Sequence, residues 1–135
     1  MSKATVLVIE DNRDILNTVR VLLEQGGFEV IPAEDCFKAF DYLAQNRPDC
    51  IVTDLMIPEV TGLEFIHQIK RISKIDRIPI IAMSAYDRTY LAAAIGAGAV
   101  GALHKPEDLD ILVKTVNEVI SKSQRGIALS QVQNP

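Results

Sequence analysis

The stretch IVTDLMIPEVTG, Ile51 to Gly62, decides the fold. Ile51, Val52 and Thr53 form an apolar, β-branched run with no polar alternation, which suits a strand buried on both faces of a sheet. The run stops at Asp54, and the turn-like Leu55, Met56, Ile57 and Pro58 follow. A carboxylate at the carboxyl end of a buried strand stands at the mouth of the sheet, where α/β folds build their sites.

The same punctuation recurs on either side. Val6 to Ile9 ends in Glu10 and Asp11, Ile80 to Met83 ends in Ser84, and Val100 to His104 ends in Lys105 and Pro106. Phe28 to Pro32 adds a short second strand. Between the strands the apolar residues take helical spacing. Ile15, Leu16, Val19, Leu22 and Leu23 make one helix, stopped by Gly26 and Gly27. Asp35 to Gln45 places Cys36, Phe40 and Leu43 on one face of the next. Further helices are expected over Gly62 to Arg71 and Asp87 to Ala97, and a closing one carries Leu109, Leu112, Val113, Val116, Val119 and Ile120. Five strands alternating with five helices call for an α/β three-layer sandwich around a parallel sheet. Right-handed crossovers leave few topologies, and the flavodoxin-like (βα)5 order 2-1-3-4-5 is the one expected. Its crevice lies beyond the first and third strands, which are those ending in Glu10, Asp11 and Asp54.

A chain of 135 residues, 48% hydrophobic and 24% charged, suits one domain with its own core. The reading divides it into a domain over 1–121 and a polar tail or linker start over 122–135. A net charge of −4 gives no general attraction to nucleic acid. No apolar run is long enough to cross a bilayer, and no signal-peptide layout opens the chain, so a cytoplasmic setting is expected. Cys36 and Cys50 lack the spacing and companions of a zinc site and read as reduced thiols.

Three carboxylates converging in one crevice repel one another unless a proton or cation intervenes. Mg²⁺ answers this need, since it takes hard oxygen ligands and keeps positions for water and a phosphate oxygen. Asp11 and Asp54 are the expected direct ligands, with Glu10 direct or acting through water. An aspartate can also attack phosphorus to form an aspartyl phosphate. Lys105 then supplies a compact positive charge for one phosphoryl oxygen and Ser84 a hydroxyl for another. Singly, each has a plainer explanation: a helix-capping acid, a turn former, a loop hydroxyl, a solvated lysine. Together, at four sheet ends, they make coincidence a poor account.

These residues resemble the receiver domain of two-component response regulators. The likeness runs from about Lys3 to Ile120 and is carried by VLVIEDN at 6–12, IVTDLMIPEVTG at 51–62, PIIAMSAY at 79–86 and GAGAVGALHKP at 96–106. It implies that Asp54 accepts a phosphoryl group from a phosphohistidine on a sensor histidine kinase or a histidine phosphotransfer protein. It implies Mg²⁺ on Glu10, Asp11, Asp54 and the backbone carbonyl of Met56, with Ser84 as switch hydroxyl, Lys105 as phosphate contact and a cis Lys105–Pro106 bond. Such a domain is a phosphoacceptor that assists its own phosphorylation and dephosphorylation, not an enzyme in the ordinary sense. It acts as a monomer or weak dimer and signals to a protein partner, or to an output domain, through the face of the fourth helix, fifth strand and fifth helix.

The chain departs from this pattern in two informative places. Where relatives carry Tyr or Phe three residues before the lysine, it has Ala102, so an atypical switch is expected. His104, which strand alternation puts on the side of Ala102, and Tyr86 are the rings available to take that part. Their plainer readings are a partly exposed strand residue and a loop aromatic. Glu107 follows Pro106 where relatives often have Phe. His67, on a helix without metal-spaced partners, reads as a surface residue. The rival function is an aspartyl-phosphate phosphatase, which needs a second Asp two residues beyond the nucleophile; Met56 stands there and cannot transfer protons.

Overall fold

The computed structural model describes residues 3–57, 59–86 and 88–133, with side chains given as far as Arg125. Pro58 and Asp87, read above as part of a turn and a helix start, and the side chains of the tail beyond Arg125 lie outside the described residues.

The strands are β1 (Thr5–Ile9), β2 (Glu29–Ala33), β3 (Cys50–Asp54), β4 (Ile80–Ser84) and β5 (Gly101–His104). The helices are α1 (Arg13–Gln25), α2 (Cys36–Leu43), α3 (Gly62–Ile69), α4 (Arg88–Ala97) and α5 (Leu112–Gln133), with a 3-10 turn over Glu107–Ile111. All four strand pairings are parallel, and the order is β2-β1-β3-β4-β5, as expected for the flavodoxin-like fold. Ile9 lies opposite Thr53, Asp54 opposite Met83 and Ser84 opposite His104, so the ends of β1, β3, β4 and β5 share one rim.

Alternation along each strand sends its side chains to two cores. One holds Leu7, Ile9, Ile51, Ile80 and Ala82 under α2, α3 and α4, with Phe65, Ile69, Leu91 and Ala94 among its helix residues. The other holds Val6, Val8, Val52, Ile81, Met83 and Leu103 under α1 and α5, against Leu16, Val19, Leu23, Leu112 and Val116. Both faces are covered, which is why these strands read as continuous apolar runs.

The helix starts are set by side-chain caps. Asn12 Oδ1 accepts from the Ile15 N–H at 3.1 Å, Asp35 Oδ1 from Lys38 at 2.8 Å and Thr61 Oγ1 from Glu64 at 3.2 Å. Each such cap stabilises its helix by about 1 kcal/mol. The first cap is therefore Asn12, which leaves Glu10 and Asp11 free for other work. At the far end of α1 the chain escapes through Gly27, whose φ of +94° is open to glycine at little cost. The closing helix differs from expectation at its start. Leu109 belongs to the 3-10 turn, and the backbone of α5 continues through the segment read as tail, to Gln133. Among the side chains described, its last in the core are Val119 and Ile120. Among the described residues no helix is long and apolar enough to cross a membrane.

Candidate functional site

β3 is the central strand, and it delivers Asp54 to the rim with only 6% of its surface exposed. Two features hold the carboxylate. Its Oδ1 accepts the Met56 N–H at 3.1 Å, and its Oδ2 accepts from Lys105 Nζ at 3.2 Å. Behind it, Gly62 lets the start of α3 press against the strand end. A Cβ at 62 would lie 2.2 Å from the Asp54 carbonyl oxygen and 2.8 Å from Leu55 Cα. Both are backbone atoms, so nothing short of moving the strand end would make room.

Glu10 is fully buried at the end of β1, and Lys105 Nζ donates to its Oε1 at 2.6 Å. One buried ammonium thus serves two carboxylates and meets the need for a cation that the sequence posed. The sequence marked Lys105 as a phosphate contact; the structure places its amine on the two acids. Burial pushes the Glu10 carboxyl up, the Asp54 carboxylate beside it pushes further, and Lys105 pulls back; the outcome is about 7, against an ordinary 4.5. Asp11 completes the cluster from an exposed position, and one oxygen from each of Glu10, Asp11 and Asp54 lies within 4.8 Å of the others. An all-oxygen, multiply anionic donor set of this kind fits a hard dication such as Mg²⁺.

Ser84 is fully buried at the end of β4, and its Oγ accepts the Tyr86 N–H at 3.0 Å. The Lys105 N–H donates to the Ser84 carbonyl at 2.8 Å, joining the last two strand ends, and the Lys105–Pro106 peptide is cis. The six positions singled out from sequence, Glu10, Asp11, Asp54, Met56, Ser84 and Lys105, therefore meet on one rim. The Met56 side chain itself is exposed. Ala102 packs against the α4-side core, and His67 is exposed on α3.

Sequence reasoning missed the network around His104. Its Nε2 bonds to the Tyr86 carbonyl at 2.9 Å, its Nδ1 pairs with the Glu107 carboxylate, and its N–H donates to Asp108 Oδ2 at 2.8 Å. The departure at Glu107 was a signal that pointed there, since an acid follows a strand that ends in His.

The comparisons agree with this geometry. The model of the response regulator receiver domain matches residues 6–117. Response regulator MprA of Mycobacterium sp. strain KMS is 34% identical over 119 residues, covering 87% of this chain and 51% of that protein. The chain thus spans about half the length of the curated relatives it matches. Among solved structures, the chemotaxis response regulator CheY4 of Vibrio cholerae aligns with a TM-score of 0.79 at 29% identity, over 87% of this chain and 99% of that one. The receiver domain of Francisella response regulator 1452 gives 0.82 at 25% identity, over 90% and 99%.

Proposed function

The chain belongs to the response regulator receiver domain family, and on that premise we propose that Asp54 is its phosphoacceptor, taking a phosphoryl group from a phosphohistidine. The observation that carries this reading is the buried bridge from Lys105 to both Asp54 and Glu10. It holds the would-be nucleophile in place, at the carboxyl end of the central strand. In the transfer, an Asp54 carboxylate oxygen forms the new O–P bond as the P–N bond to the donor imidazole breaks, and the imidazole keeps the bonding pair. Lys105, already hydrogen-bonded to Asp54, follows the charge onto a phosphoryl oxygen. Ser84 supplies a hydroxyl for another.

Glu10, Asp11, Asp54 and the Met56 carbonyl are the groups that would hold Mg²⁺, whose charge offsets that of the incoming phosphoryl oxygens. Donors are a sensor histidine kinase or a histidine phosphotransfer protein. The phosphorylated state is read by a protein partner or an output domain at the α4–β5–α5 face, by a shift between two conformations. With Ala102 on β5, that shift runs without the customary ring.

Incubation with acetyl phosphate and Mg²⁺, followed by intact-mass measurement, tests the assignment. Wild type should gain one acid-labile phosphoryl mass and Asp54→Asn none. An acid-stable adduct, or one that survives the substitution, would sink it.

A further inference from the structure

We propose that His104 is a positioning residue that latches the β4–α4 loop to the turn after β5, and that opening this latch carries the state of Asp54 outward in place of a ring at 102. The proposal rests on the phosphoacceptor reading of Asp54.

The Tyr86 carbonyl has no proton to give, so in the 2.9 Å contact the imidazole Nε2–H is the donor. The other ring nitrogen faces the Glu107 carboxylate, and the backbone N–H of His104 is tied to Asp108. His104 thereby joins three things: β5, the start of the 3-10 turn that feeds α5, and the loop that feeds α4. The two departures in this region, Ala102 and Glu107, lie two residues before it and three after it. One removes the ring that relatives have, and the other supplies the acid that orients the ring found here.

Tyr86 connects the latch to the chemistry. Its N–H donates to Ser84 Oγ at 3.0 Å, while its carbonyl accepts from His104. Ser84 Oγ cannot turn fully to a phosphoryl group on Asp54 and keep the Tyr86 N–H in its present line. Because the Tyr86 side chain is 57% exposed, packing gives this residue little hold. Two hydrogen bonds to its backbone hold it among the described residues, so a displacement at one is felt at the other. Movement of Ser84 thus draws the Tyr86 carbonyl from His104 and frees the starts of α4 and of the turn into α5.

Histidine-selective ¹⁵N NMR reads this directly, because the chain has two histidines and His67, exposed on α3, serves as an internal control. Beryllium fluoride with Mg²⁺ is the phosphoryl mimic. The His104 ring nitrogens should shift on its addition while those of His67 stay. A uniformly ¹⁵N-labelled sample supplies the site's own readout: a mimic that shifts the Asp54 and Met56 amides there but leaves the His104 ring unmoved would overturn the latch alone. A mimic that shifts none of them would overturn the phosphoacceptor reading and the latch with it. As a second arm, His104→Ala should raise the rate of phosphorylation by acetyl phosphate roughly three- to tenfold, the worth of one hydrogen bond that holds the resting loop. His104→Gln keeps an N–H donor near the place of Nε2 and should stay near wild type. Equal rates in all three proteins, or rates that merely track their melting temperatures, would overturn the proposal.

Discussion

Glu10 is where a single residue has the most to say. An acid at a strand end is commonplace, but this one is buried, faces Asp54 and takes a proton at about 7 when folded, against 4.5 ordinarily. The folded state therefore binds that proton more tightly than the unfolded chain does. The associated stability is complete below about 4.5 and is lost as pH rises through about 7. Urea titration of the metal-free protein should show this decline between the two values, and Glu10→Gln should remove it. The sequence could name Glu10 as a site residue because of where its strand stops. It could not show that Lys105, 95 positions away, would arrive 2.6 Å from it, since that depends on the register of β1, β3, β4 and β5.

At the scale of elements, strand ends and helix faces were legible because each is written in local periodicity. The five strands appear within a residue or so of where their apolar runs lie. Caps and turns were less so: Asn12 takes the role that Glu10 and Asp11 were also suited to, and Leu109 falls in a 3-10 turn although it fits the helical stripe. Gly62 illustrates what the sequence withheld, because the need for glycine there comes from the approach of α3 to the end of β3. Gly62→Ala should cost about 3 kcal/mol or more in chemical denaturation and slow the proposed phosphorylation of Asp54, since the clash is with the backbone that carries this side chain. Gly96→Ala is the matched control. A Cβ there meets nothing within 4 Å, and the residue lies inside α4, so stability should hold or rise by up to about 1 kcal/mol.

For the molecule as a whole, the last side chains of α5 in the core, among those described as far as Arg125, are Val119 and Ile120, although its backbone helix runs on to Gln133. A chain ending at Ser121 should accordingly unfold cooperatively, with a melting temperature within a few degrees of the full chain, and still take phosphate at Asp54. A drop large enough to abolish the transition would place the remainder of α5 inside the domain. The alternation of helices to the two faces was foreseen, because strands without polar alternation demand cover on both sides. Which helix goes to which face follows from handedness and order.

That division has a consequence for how such a chain can change over generations. The sheet separates the two cores, so a volume lost on one side needs no answering change on the other. Ile69→Val and Val116→Ala, drawn from opposite cores, should have costs that add to within about 0.5 kcal/mol in double-mutant unfolding measurements. The surface formed by α4, β5 and α5 takes one helix from each core. On the proposed reading of this face, mutations that tune α4 for a partner can accumulate without disturbing the seat of α5, and the reverse holds too. If partners are met on that face as proposed, a lineage can re-specify whom it addresses by two separate routes, while the rim that bears Asp54 is inherited intact.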